Sequence, residues 1–177
     1  MELRPLGSTG IHVSPLGLGT VKIGRNEQVK YPQGFEIPDD EVVSNLFALA
    51  TELGINFIDT APAYGSSEDR LGQLLPNRED WVIMTKVGEI FEKGQSHFDF
   101  SAAHTRQSVE NSLKKLKRDR VDIVLVHSDG NDMDIINNQG ALEELEKLKH
   151  QGLVGAYGMS TKTVEGGTWI VEHTDVV

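Results

Sequence analysis

The sequence predicts an α/β fold, a parallel sheet covered by helices, and three observations carry that expectation. Short apolar runs of strand length recur along the chain, helical patterns with their own start and stop signals lie between them, and reactive side chains directly follow the runs. This alternation fits two layouts, an open doubly wound sheet and a closed (β/α)8 barrel. Composition does not separate them.

The first twenty residues differ from the rest. Leu3-Arg4-Pro5-Leu6, a Gly7-Ser8-Thr9-Gly10 turn and Ile11-His12-Val13-Ser14 read as a hairpin within residues 1–15. Leu16-Gly17-Leu18-Gly19-Thr20 is a short apolar run studded with glycine. Strand-length runs follow at Ile55-Asn56-Phe57-Ile58, Trp81-Val82-Ile83-Met84, residues 121–126 and, more weakly, residues 153–159. Asp175-Val176-Val177 reads as the opening of another.

Helices are expected between these runs. Pro38-Asp39-Asp40-Glu41 places acidic residues at the positive end of a helix dipole, Val42, Leu46, Leu49 and Leu53 mark its apolar face, and Gly54 supplies the stop. A shorter helix around residues 68–75 ends before Pro76. Ser101 caps a long helix with Val109, Leu113 and Leu116 on one side, closed by a basic last turn. Another carries Leu142, Leu145 and Leu148 and stops at Gly152.

The 177 residues, 38% of them apolar, suffice for one domain with a core, so residues 1–177 are expected to form a single unit. The absence of cysteine excludes disulfide scaffolds and Cys-ligated metal sites. A formal charge of −10 disfavours binding to nucleic acid or an anionic membrane. No apolar run approaches the ~20 residues that span a bilayer, and the N-terminus lacks the pattern of a secretion signal. A soluble, cytoplasmic protein is the expectation.

Chemistry concentrates at the strand ends. Asp59, with Tyr64 just beyond, follows one run; Lys86 follows the next; His127 follows residues 121–126; and Ser160 follows residues 153–159. Parallel strands bring such ends together on one face, where α/β barrels keep their active sites. Singly, each has an ordinary reading: a rim ion pair for Asp59 and Lys86, a packed loop residue for Tyr64, a satisfied helix-start residue for His127. Four complementary groups in successive positions point to a shared site.

The segment Gly54-Ile55-Asn56-Phe57-Ile58-Asp59-Thr60-Ala61-Pro62-Ala63-Tyr64-Gly65 resembles the signature of the aldo-keto reductases. The likeness extends to Leu18-Gly19-Thr20, Thr85-Lys86, Val126-His127-Ser128 and Gly158-Met159-Ser160. It implies a (β/α)8 TIM-barrel fold sealed at its base by the N-terminal β-hairpin. It also implies reduction of an aldehyde or ketone by NADPH, a hydride at carbon and a proton at oxygen. Asp59, Tyr64, Lys86 and His127 are then the catalytic tetrad. A free phenol titrates near 10, a poor match to proton transfer at neutrality. The ammonium of Lys86 is expected to favour the phenolate of Tyr64, Asp59 to hold Lys86 charged, and a neutral His127 to donate a hydrogen bond to the substrate oxygen. Gly19, Thr20, Asp59 and Ser160 are the implied cofactor contacts, although Thr161 stands where the family usually has asparagine.

Residues 21–37 hold Tyr31 and Phe35, and residues 87–100 hold Phe91, His97 and Phe98. These long loops either wall a substrate pocket or pack on themselves. The acidic stretch at residues 129–134 fails the EF-hand spacing and reads as a solvated loop, so no metal is expected. His12, His104, His150 and His173 read as surface residues.

A complete barrel takes about 250 residues, so this chain is expected to hold five to six βα units of an incomplete barrel. Open strand edges then favour self-association. Two other readings remain beside the reductase: a truncated, non-catalytic half-barrel that serves as a binding or regulatory scaffold, and an unrelated α/β binding module.

Overall fold

The structure, a computed structural model, describes residues 1–174, so the strand opening expected at 175–177 lies outside the described residues. The N-terminal hairpin forms as β1 (Arg4–Pro5) and β2 (His12–Val13), paired antiparallel. The main sheet has five parallel strands in chain order: β3 (Gly17–Gly19), β4 (Phe57–Asp59), β5 (Val82–Val87), β8 (Val121–His127) and β9 (Val154–Ser160). Each joins the next through helices, the arrangement of a βα barrel. Among the described residues β3 and β9 are the two sheet edges, and the barrel they begin is not closed.

The connecting elements are α1 (Val21–Gly24), α2 (Asp40–Glu52), α3 (Ser67–Leu74), α4 (Ala102–Leu116), α5 (Asp132–Asn138), α6 (Ala141–His150) and α7 (Val164–His173). Side-chain caps explain three of the starts. Asp39 accepts from the amide of Val42, Ser101 from that of His104, and Thr163 from that of Gly166, each satisfying a helix donor without an internal partner. No helix among the described residues is long and apolar enough to cross a membrane.

The hydrophobic core lies between the outer face of the sheet and the helices. Ile58, Ile83, Val124 and Val126 supply the sheet side, and Phe47, Leu71, Val109, Leu145 and Leu148 the helix side. Burying each such side chain contributes about 1.5–3 kcal/mol. The inner face is different: near its upper end Phe57, Met84 and Leu125 are only half-buried.

Three expectations need correction, and one helix was not expected. On α2 the buried residues are Val43, Phe47 and Ala50, whereas Val42, Leu46, Leu49 and Leu53 are 37% to 54% exposed. A barrel helix has one apolar side for the sheet and another for its helix neighbours, and the substantial helix neighbour of α2 among the described residues is α3 alone. Residues 87–100 are not a loop but mostly a hairpin, β6 (Glu89–Glu92) against β7 (Gln95–Phe98). The acidic stretch is no solvated loop either, because Asp132 opens α5 and is buried. It accepts from the Ser128 hydroxyl, the backbone amides of Lys162 and Thr163 and the Thr163 hydroxyl, tying the end of β8 to the start of α7. Finally, α7 had no sequence expectation, since Gly166-Gly167 near its start obscures the pattern.

Candidate active site

Strand register decides which side chains meet. Asp59 stands opposite Met84, so Lys86, two residues on, projects from the same face of the sheet. Lys86 stands opposite Leu125, which puts His127 on that face too, and His127 stands opposite Ser160. An alternating backbone thus delivers Asp59, Lys86, His127 and Ser160 to one side at one end. Tyr64 arrives on the 3-10 turn Pro62–Tyr64 that follows β4.

Close packing holds that turn. Gly65 has φ of +63°, and a Cβ there would lie 2.2 Å from the Gly24 oxygen; a Cβ on Gly24 would lie 2.1 Å from the Tyr64 oxygen. Only two glycines let the end of α1 touch the turn. Arg25 pins it further, donating to Ala63 O at 3.0 Å while its guanidinium lies 3.4 Å from the centre of the Phe91 ring.

Lys86 is the hub. Its buried ammonium donates to Asp59 Oδ1, to Thr60 O at 3.0 Å and to Tyr64 Oη at 3.3 Å, which accounts for all three of its N–H groups. An ammonium can only donate, so the phenol oxygen accepts from Lys86 and the hydroxyl proton of Tyr64 points elsewhere, available to a ligand. The His127 ring stands edge-on to Tyr64 with centroids 6.4 Å apart.

Glu89, at the start of the β6–β7 hairpin, completes the site. Its Oε2 lies 2.9 Å from His127 Nδ1, an approach oblique to the ring N–H direction. Its Oε1 accepts from the Ser96 hydroxyl at 2.6 Å and lies 3.4 Å from the Arg25 guanidinium. Burial alone raises this carboxyl, but His127, Ser96 and Arg25 outweigh it and hold the pKa at about 2. Glu89 and Arg25 were absent from the sequence reading. The available signal was a carboxylate three positions beyond Lys86, masked because residues 87–100 were read as an unstructured loop.

Tyr64, Glu89 and His127 share a cavity of about 550 Å³ with Arg25, Tyr31, Phe98 and Lys162. Of the loop aromatics, Tyr31 and Phe98 wall this cavity; Phe35 packs edge-on against Tyr31, Phe91 lies under Arg25, and His97 is exposed.

The implied cofactor contacts divide. Gly19 ends β3 with open space beside it, Asp59 remains 38% exposed, and the half-buried Ser160 hydroxyl has no partner among the described residues. Thr20 is buried instead, its hydroxyl donating to Asp59 O and accepting from Ser67. It holds the end of β4 and does not face the cavity.

The aldo/keto reductase family profile matches residues 15–176. This chain belongs to the aldo/keto reductase family. Among curated relatives it is 35% identical to L-galactose dehydrogenase of Arabidopsis thaliana, over 98% of the chain and 52% of that protein. It is 33% identical to the NADH-specific methylglyoxal reductase of Escherichia coli, over 89% of the chain and 51% of that protein. A crystal structure from Pseudomonas aeruginosa, assigned to the aldo-keto reductases, superposes with a TM-score of 0.89 at 60% identity, covering 98% of this chain and 65% of that one. The holo form of the Bacillus halodurans aldo-keto reductase AKR11C1 superposes at 0.83 with 30% identity, over 100% and 56%. The chain spans about half the length of the curated relatives it matches.

Proposed function

We propose that this chain carries the catalytic side chains of an NADPH-dependent reductase of aldehydes or ketones, with Tyr64 as the proton donor. One observation carries the reading: the Lys86 ammonium touches both Asp59 and the Tyr64 hydroxyl at the rim of a cavity that also holds His127.

The nicotinamide, when bound, supplies the hydride. The residues present suit its reactive end: the free hydroxyl of Ser160 can bond the carboxamide, and Gly19 and Asp59 line the approach. The chain's own part is the proton. As negative charge develops on the carbonyl oxygen, Tyr64 releases its proton and Lys86 stabilises the phenoxide left behind. Asp59 and the Thr60 carbonyl hold Lys86 against the Tyr64 oxygen, and His127 orients the substrate oxygen.

The substrate class is a small carbonyl compound, and the compartment the cytoplasm. Titration of the purified chain with NADPH, followed by cofactor fluorescence, and assay with a generic aldehyde test the reading. Binding with turnover is expected; absence of binding at millimolar NADPH overturns it. That result favours the second reading, a half-barrel scaffold, which draws its support from the exposed stripe on α2.

A further inference from the structure

The cavity contains a second carboxylate, Glu89, that the proton-transfer scheme above does not use. It sits on a hairpin and not at the end of a strand of the sheet, and its Oε2 lies 2.9 Å from the ring that faces the substrate oxygen.

We infer that Glu89 is a positioning residue for His127: its carboxylate keeps a proton on Nδ1, so the ring meets the reacting oxygen through Nε2 and donates from there only as the imidazolium. The inference rests on the reductase reading for the identity of that oxygen, but its chemical core concerns the two side chains alone.

The argument is one of donors and acceptors. An ionised carboxylate has only lone pairs to offer, and so does an unprotonated ring nitrogen. At 2.9 Å two such atoms repel, so Nδ1 carries the hydrogen even though the approach is oblique. Nδ1 is buried, and no other acceptor reaches it. Glu89 is fixed in turn by Ser96 and by Arg25, whose guanidinium is anchored on Glu27 O, Gln28 O, Ala63 O and the Phe91 ring. The charged and titratable groups around the ring are Glu89 from β6, Tyr64 from the 3-10 turn with Lys86 bonded to it, and Arg25, Lys30, Tyr31 and Lys162 along the cavity wall.

The consequence alters the expectation for His127. A neutral ring with hydrogen on Nδ1 has a bare Nε2, which can accept but cannot donate. A carbonyl oxygen also only accepts. Facing it, the ring needs a second proton, and Glu89 supplies the counter-charge for that state. Glu89 therefore sets the tautomer with which the ring meets the reacting oxygen and supplies its counter-charge.

Long-range 15N–1H correlation spectra of the full chain, with the His127 signals assigned by His127→Gln, read the tautomer directly. The neutral ring is expected in the Nδ1–H form, and in Glu89→Leu it reverts to the Nε2–H form that an unpartnered imidazole prefers. An Nε2–H form in the unaltered chain, or the same form in both proteins, overturns the inference. Glu89→Gln, which keeps the volume and an oxygen for Ser96 and Arg25, tests the reaction. Carbonyl reduction should lose about tenfold in kcat with KM within about twofold. An unchanged kcat overturns the catalytic part of the inference. Failure of the chain to reduce any aldehyde overturns the reductase reading instead, and the spectra still decide the role of Glu89.

Discussion

The two faces of the sheet follow different rules. The outer face, carrying Ile58, Ile83, Val124 and Val126, is dry and packed by helices, and its job is stability. The inner face, carrying Asp59, Lys86, His127 and Ser160, is half-open at its upper end and lined there by polar groups. One strand serves both: in β5, Ile83, Thr85 and Val87 face the helices while Met84 and Lys86 face inward. A pleat of period two separates folding from chemistry residue by residue. Mutations on the two faces should therefore be read out by different experiments.

Tyr64→Phe gives the largest effect expected on the inner side. Aldehyde reduction should fall by about 10²- to 10⁴-fold, with NADPH affinity by fluorescence titration and thermal stability nearly unchanged. A variant as active as the parent removes Tyr64 as the acid. Leu145→Ala, in the outer layer, should do the opposite. It costs about 2–5 kcal/mol in denaturant unfolding because a fully buried side chain is replaced by a cavity, while the remaining folded protein keeps its affinity for NADPH.

Asp132→Asn probes a group that links the two. Burial raises the Asp132 carboxyl, but bonds from Ser128, Thr163 and the Lys162 amide outweigh it and hold its pKa below the ordinary range. A depressed pKa contributes stability that is present above the unfolded value and lost as pH falls through the folded one. The variant should lose about 1–3 kcal/mol at neutral pH, the difference shrinking in acid, and should weaken NADPH binding as the Ser160 segment loosens.

The smallest effect is expected from Glu68→Gln. Glu68 is a carboxyl inside the outer layer, accepting from Thr85 at 2.6 Å, and burial raises its pKa despite that bond, the nearby Ser112 hydroxyl and the charge of Lys115. A raised carboxyl pKa has the reverse sign: stability is full at low pH and declines as pH rises from the unfolded toward the folded value. Glutamine should therefore stabilise the chain by about 1 kcal/mol at neutral pH, with the gain vanishing in acid. Stabilisation independent of pH overturns the assignment of the effect to that carboxyl.

Much of the site was legible before any coordinates. Asp59, Tyr64, Lys86 and His127 were each readable as strand-end residues, because apolar runs mark strands and parallel strands end together. Ser101 and Asp39 announced their helices through capping chemistry. The stripe on α2 was legible as apolar, but not which neighbour would cover it. Thr20 carried a cofactor expectation that its hydrogen bonds to Asp59 O and Ser67 do not support. Glu89 was invisible because local pattern gave residues 87–100 no strand period, with Gly88 and Gly94 interrupting it.

What the sequence determined by itself is local. Strand period, helix caps and the parity of residues 59, 86 and 127 along their strands all arise from interactions within a few positions, so they are written where they act. What only the tertiary structure decided is which distant groups meet. The β6–β7 hairpin brings Glu89 to His127, two glycines seat the Tyr64 turn on α1, and Asp132 bonds to amides thirty and thirty-one positions away. Those contacts depend on how the chain closes in space, and no window of neighbouring residues contains that information.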